Sequence, residues 1–367
     1  MTNLEIMDCE LINIAQRFAI EGKIESIKPL GDGFINDTFI VKTTGEGPDY
    51  ILQRKNHKVF PHVPEMMDNI VKVTAHIKAK IIHAGGDPMR ETLTVVFTKD
   101  GLPYFYDEPD YWAVCVFIDG SITTDNASSL ELCYKGGQGI GRFQKMLADY
   151  NAPLYETIKG FHNIRFRFEQ WDDTLRRDPF GLVKTVQEEI GWVESRRRQM
   201  LDFWKLVENG ELPMRVTHND TKLSNILFDG NGDVLCAIDL DTCMSSTVLN
   251  DVGDALRSYT NTGDEDDQDL SRVSMDIGRF KAYVSGYLSE MKDSLNDCEK
   301  EWLAFSAIYI TFEQVLRFLM DYIDGSTYWK IQYPTHTLVR THAQYKLLQS
   351  MEEQYGEMKK VVDQLIG

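Results

Sequence analysis

Three oxygen-bearing side chains in one polar stretch suggest a chemistry. Asp220 and Asn225 lie five residues apart in DTKLSN, and Asp239 ends the apolar run VLCAID. An aspartate at the head of such a loop can take a proton from an attacking hydroxyl. An asparagine at its end offers a neutral oxygen to a metal ion. Magnesium takes one or two protein oxygens and fills its octahedron with phosphate oxygens and water. A carboxylate at the end of a buried strand is costly unless a cation compensates it. Asp220 is therefore expected to be a base, with Asn225 and Asp239 holding Mg²⁺ beneath the phosphates of ATP. That chemistry is phosphoryl transfer to an alcohol.

The bland reading of each residue alone is different. A lone aspartate after a strand usually caps a turn, and a buried histidine such as His218 usually orders a loop. His218 is given that structural role. Lys222, two past Asp220, is read as a phosphate contact, with a solvated lysine as the alternative. The order and spacing of Asp220, Asn225 and Asp239 together raise the set above coincidence.

These residues need two kinds of scaffold. Residues 23 to 120 read mainly as strand. DTFIVKTT and DYILQRK are joined by GEGP in a hairpin pattern, TLTVVFTKDGLPYFY repeats it around KDG, and YWAVCVFI is a buried strand. One helix is inserted, because Ile70, Val73, Ile77 and Ile81 recur at helical spacing. Gly31 and Gly33, in PLGDGFINDTF, sit where a tight turn would bring backbone N–H groups close to phosphates, with a plain hairpin turn as the alternative. After Ser121 helices dominate: SSLELCYKGGQGIGRFQKMLADY, with Leu132, Phe143 and Leu147 as core, and four long stretches beyond it. The glycines of GGQGIG, inside a helical pattern, signal close helix packing rather than a phosphate loop. The expected class is α+β. A small antiparallel-sheet lobe with one helix, residues 1–119, binds nucleotide, and a larger mainly helical lobe, residues 120–367, carries catalysis and substrate binding.

Composition sets limits. The 367 residues carry 39 Lys and Arg against 57 Asp and Glu, a net charge of −18, which argues against general nucleic-acid binding. No stretch approaches 18 consecutive apolar residues, and the acidic N-terminus has no signal-like apolar core. Six cysteines without a CxxC pair fit reduced thiols. A cytoplasmic protein without membrane association or an obligate protein partner is expected. The acidic loop GDEDDQDL is read as solvated.

THNDTKLSNILF followed by AIDLDT resembles the Brenner-type motif of the aminoglycoside phosphotransferase and choline kinase-like superfamily. EGKIESIKPLGDGFINDTFIV, YILQRKNHKVF, RVTHNDTKLSNILFD, DVGDALRS and YPTHTLVRTHAQ together resemble its N-acetylhexosamine 1-kinase branch, over roughly residues 10 to 355. The resemblance implies a protein-kinase-like bilobal fold and transfer of phosphate from ATP, with Mg²⁺, to the anomeric hydroxyl of an N-acetylhexosamine. It implies an adenine hinge at VFIDG, with Phe117 and Ile118, and Asp254 as an anchor beneath the loop. Asp241 is a weaker metal candidate. Arg317, Tyr328, Phe34 and Asn36 are implied to contact the sugar; the alternative is an Arg317 that snorkels to a surface carboxylate and a packed Tyr328. One feature departs from the kinase pattern. Gln53 occupies the place expected of the strand lysine that pairs with ATP phosphates, and strand alternation sends Lys55 to its face and Arg54 to the other. The rival readings are a kinase for choline, homoserine or an aminoglycoside, and a pseudokinase that binds nucleotide without turnover.

Overall fold

The computed structural model describes residues 3–31, 35–124 and 127–367, so Gly33 and Phe34 lie outside the described residues. The chain forms two compact units. The first comprises Met1–Ile122, Tyr150–Ile158 and Leu227–Met244; the second comprises Thr123–Asp149, Lys159–Ile226 and Ser245–Gly367.

The first unit opens with helix α1 (Asn3–Ala15), which the sequence reading did not anticipate. Strands β1 (Lys23–Pro29), β2 (Asp37–Thr44) and β3 (Tyr50–Lys55) form an antiparallel meander, and the GEGP turn joins β2 to β3 as expected. Helix α2 (Val63–His83) buries Ile70, Val73, Ile77 and Ile81 along one face. The KDG segment does turn, with Gly101 at φ +83° and its N–H on Thr98 O. Its flanks do not form the expected hairpin. β4 (Val95–Val96) and β5 (Phe105–Asp107) each pair with β6 (Asp110–Val116), so the central strand supplies the hydrogen bonds for both.

Period-two alternation then sorts the sheet into two faces. Val41, Leu52, Trp112 and Val114 pack with Leu11 and Ile14 of α1 in the apolar core. Gln53 and Lys55 stand on the other face.

The second unit is helical: α3 (Leu130–Met146), α4 (Ile164–Arg177), α5 (Gln187–Glu208), α6 (Val248–Tyr259), α7 (Ile277–Met291), α8 (Asp297–Ile323) and α9 (His336–Ile366). The GGQGIG glycines lie within α3 and allow close packing, as expected. A Cβ on Gly137 would lie 2.1 Å from Tyr283 O, and one on Gly286 of α7 would lie 1.9 Å from Tyr134 O. Phe143 and Leu147 are buried, while Leu132 is half-buried. Helix α8 has the length and apolar composition of a membrane span, but 89% of its most apolar window is buried within the protein. It is the central core helix. Asn296 and Glu299 close its first turn as a capping box. Glu299 is fully buried and also takes a bidentate bond from Arg215, at 2.9 Å to each oxygen. That bond ties the start of β7 (Arg215–Thr217) to the base of α8.

The candidate phosphoryl-transfer residues

β7 runs into the loop that carries Asp220. Two carboxylates of α6 hold the backbone of this loop. Asp251 accepts from His218 N at 3.0 Å and Asn219 N at 2.7 Å; Asp254 accepts from Thr221 N at 2.9 Å. Asn219 adopts a left-handed conformation at φ +65°, which asparagine tolerates better than most residues. The His218 ring is buried edge-on against Phe143, at 5.6 Å. Asp254 is held in turn by Arg257 at 3.1 Å.

Asp251 was not singled out from the sequence. It sits one helical turn before Asp254 in DVGD, a spacing that puts both on one helix face.

Within this loop Asn225 donates Nδ2 to Asp220 O at 2.8 Å and to Asp220 Oδ2 at 3.1 Å. Lys222 Nζ lies 3.1 Å from the same Oδ2, and the Asp220 side chain remains one-third exposed. Burial raises the Asp220 pKa, but Lys222, His218 and the Asn225 amide outweigh it, so the carboxyl lies below the ordinary range. Asp220 is ionised at neutral pH, as a base must be. The bonds of Asn225 commit its nitrogen and leave its oxygen as the group that can face a cation.

β8 (Ile226–Phe228) and β9 (Val234–Ala237) form the hairpin that precedes Asp239. Asp239 takes a left-handed conformation at φ +59° and is half-buried, and a short 3-10 turn over Leu240–Thr242 follows it. Asp241, two residues on, is buried. Its oxygens lie 2.7 and 3.0 Å from Lys55 Nζ, and Asn36 Nδ2 donates to Oδ2 at 2.7 Å. Burial lowers the Lys55 pKa, but Asp241 and then Asp239 more than reverse this, and Lys55 stays charged.

The buried strand cation is therefore Lys55. Gln53, expected at that position, bonds Thr38 Oγ1 at 3.2 Å and accepts from Lys55 at 2.7 Å. Alternation had already placed Lys55 on the Gln53 face. What sequence could not give was its partner, 186 residues away.

Asn36 has both ends of its amide engaged, with Oδ1 accepting from Asn56 N at 3.0 Å. The structure thus builds it into the Lys55–Asp241 pair. Gly31 is at φ +70° with open space at its Cβ position. At the hinge, Phe117 N donates to Asp49 O at 2.9 Å and Ile118 O accepts from Ser121 N and Oγ. Phe117 C=O and Ile118 N–H, for which no partner occurs among the described residues, point to opposite sides of one trans peptide.

Arg317 on α8 has no carboxylate within ion-pair distance among the described residues. Its Nη1 meets Gln314 Oε1 at 3.3 Å, and its guanidinium lies over Phe161, Trp329 and Tyr328, at 5.4, 5.2 and 5.9 Å from the ring centroids. The snorkelling arginine bonded to a surface carboxylate does not describe it. Tyr328 is half-exposed, and its N–H donates to Asp321 Oδ1 at 2.8 Å.

Next to this aromatic box lies a buried charge cluster absent from the sequence reading. His162 Nδ1 lies 2.7 Å from Glu313 Oε2, and Arg167 Nε donates to Glu313 Oε1 at 3.1 Å. The partners are 151 and 146 residues apart, beyond any local pattern.

Asn225 and Asp239 are hard oxygen donors. No cluster of three acidic, histidine or cysteine side chains that could cage a metal occurs among the described residues. Magnesium takes such oxygen donors together with phosphate oxygens and water.

Known proteins share the fold of this chain. The chain is similar in structure to an aminoglycoside phosphotransferase from Alicyclobacillus acidocaldarius, with TM-score 0.61, 12% identity and 96% of each chain covered. It is also similar to a spectinomycin phosphotransferase bound to ADP and spectinomycin, with TM-score 0.59, 11% identity, 95% of this chain and 98% of that one. A choline kinase from Cryptosporidium parvum matches with TM-score 0.57, 15% identity and 99% of each chain. At these identities the likeness is one of fold, and it is the kinase-like fold expected from the sequence. Residues 26–283, well over half of the chain, match the family of phosphotransferase enzymes that includes the aminoglycoside phosphotransferases, and the chain belongs to that phosphotransferase family.

Proposed function

We propose that this enzyme transfers the γ-phosphate of ATP to the anomeric hydroxyl of an N-acetylhexosamine. The observation that carries the substrate class is the surroundings of Arg317. An aromatic cage for a quaternary ammonium keeps its ring faces free for the ligand's cation. Here the protein's own guanidinium lies over those faces, with Arg167 and His162 close behind and Glu313 as the carboxylate among them. This repels choline or an aminoglycoside and suits a neutral acceptor rich in hydroxyl and carbonyl groups, which can take guanidinium hydrogen bonds.

The chain's own residues support each part of the reaction. Asp220, ionised and held by Asn225 and Lys222, is the base for the acceptor hydroxyl. An anomeric hydroxyl is more acidic than an ordinary alcohol, which eases that step. Lys55 is the cation for the ATP phosphates, and Gly31 lies in the turn that would approach them. A magnesium ion, held by Asn225 and Asp239, would neutralise phosphate charge when bound. Lys55 also removes the main support for a pseudokinase, which was the absence of a strand lysine.

A panel of acceptors tests the reading. N-acetylglucosamine and N-acetylgalactosamine should turn over; choline and an aminoglycoside should not. The 1-O-methyl glycoside should bind without accepting phosphate, and the 6-deoxy sugar should still react. Arg317→Ala should raise KM for the sugar far more than KM for ATP. Phosphate on carbon 6, or turnover of choline in preference to sugar, would overturn it.

A further inference from the structure

His162 lies between two groups that can only accept. On one side Nδ1 is 2.7 Å from the Glu313 carboxylate; on the other Nε2 is 3.2 Å from the backbone carbonyl of Asn219. A neutral imidazole carries one N–H and could satisfy one of these contacts. The second would set a ring lone pair against an oxygen lone pair in a buried place, since the His162 side chain is 4% exposed and that of Glu313 2%. His162 itself is in a left-handed conformation at φ +57°, and Tyr309 Oη donates to its carbonyl at 3.0 Å. The surroundings therefore fix both ring and backbone. Asn219 immediately precedes Asp220 and is also left-handed, so its carbonyl sets the peptide from which the Asp220 side chain projects.

We propose that His162 is a positioning residue whose imidazole is charged at neutral pH. Its imidazolium clamps the Asn219 carbonyl and so aims Asp220 at the acceptor hydroxyl. The inference rests on the reading of Asp220 as the base. The charged groups around the ring agree with it. Burial works against the charge, but Glu313 of α8 and then Asp254 of α6 favour it over the opposition of Arg317, leaving the His162 pKa raised. Arg167 of α4 meets the same carboxylate from the far side. Glu313 is ionised throughout, with its pKa down to about 2 through its contact with His162 and the two arginines despite burial. The arrangement also links substrate to catalysis, because Arg317 is one helical turn beyond Glu313 and lies over Phe161, the neighbour of His162. A group bound at Arg317 acts on the same carboxylate that orders the base.

The test combines nitrogen NMR of histidine-labelled full-length protein with rate measurements from pH 6 to pH 10. The His162 signal is assigned by its loss in His162→Gln. Rates are read as ADP release, both with N-acetylglucosamine and with water as the sole acceptor. Both ring nitrogens should be protonated at pH 7, and the midpoint at which one loses its proton should coincide with the alkaline limb of kcat. Glu313→Gln should move both midpoints down together, by on the order of one pH unit or more, with ADP affinity unchanged. An unprotonated ring nitrogen at pH 7 overturns the inference. So does an alkaline limb that does not follow the ring, which the wild-type protein shows even if Glu313→Gln fails to fold. A protein that hydrolyses ATP but ignores the sugar overturns the hexosamine reading alone, and the water-only rates still decide the role of His162.

Discussion

Lys55 and Asp241 form an ion pair at 2.7 Å with both side chains 4% exposed. Removing one member of such a pair leaves an uncompensated buried charge, which costs about 3–5 kcal/mol, while replacing both by apolar groups is often close to neutral. Lys55→Met alone should therefore destabilise the fold by that order. Lys55→Met combined with Asp241→Leu should recover part of the loss, because Asn36 Nδ2 then loses its acceptor. Urea unfolding of the two single variants and the double variant measures this as a coupling energy. Coupling under about 0.5 kcal/mol, the scale at which independent sites add, would show that the pair does not act as a unit.

Asp251→Ala strips the acceptor from His218 N, Asn219 N and Gln144 Nε2. Buried donors left without partners cost about 1–3 kcal/mol each, and the loop that carries Asp220 loses its seat. Stability and kcat should fall together. An Asp251→Ala protein that melts like the wild type would contradict the anchoring role.

Glycines in helices give opposite expectations at two sites. At Gly137 an added methyl would meet the carbonyl of Tyr283 at 2.1 Å, so Gly137→Ala should cost about 1–3 kcal/mol as overpacking. At Gly191 in α5 there is nothing within 4 Å. Gly191→Ala should gain roughly 0.5–1 kcal/mol from helix propensity. Thermal melts of the two variants should shift in opposite directions.

Acid should unfold the protein partly through Glu313. Its ordinary value is 4.5 and its folded value about 2, so the folded state holds the proton more weakly than the unfolded chain. Its stabilising contribution is present above pH 4.5 and is lost as pH falls toward 2. Wild-type stability should decline across that window. Glu313→Gln should begin lower and decline less steeply, as denaturant midpoints at pH 5, 4 and 3 would record.

Several features of the fold were legible because they are local. Helical spacing marked α2 over Ile70, Val73, Ile77 and Ile81. The turn residues GEGP marked the β2–β3 hairpin, and the six residues from Asp220 to Asn225 carry their own hydrogen bonds. Remote or competing partners leave no such local mark. The strands around KDG looked self-sufficient, yet both pair with β6. Gln53 drew attention as the residue in the lysine's place, although the alternation that put Lys55 on its face was visible. Lys55 declares itself only through Asp241, and His162 through Glu313, and sequence alone does not reveal those distant contacts. Asn36 looked available for a ligand because nothing nearby in sequence shows that Asp241 and Asn56 occupy it.

The bond from Arg215 to Glu299 has a mechanical consequence. Glu299 lies in the first turn of α8 and Arg317 lies 18 residues further along the same helix. At roughly 1.5 Å of rise per residue, a rigid rod about 27 Å long separates them. One end fixes where β7 sets off toward Asp220, and the other fixes where the Arg317 guanidinium lies. The helix works as a ruler. Inserting or deleting one residue between its two marks would move Arg317 by roughly 1.5 Å and turn it about 100° around the axis, away from Phe161. Sequence drift along this stretch can change which apolar side chains fill the core, but the number of residues between the two marks must stay the same.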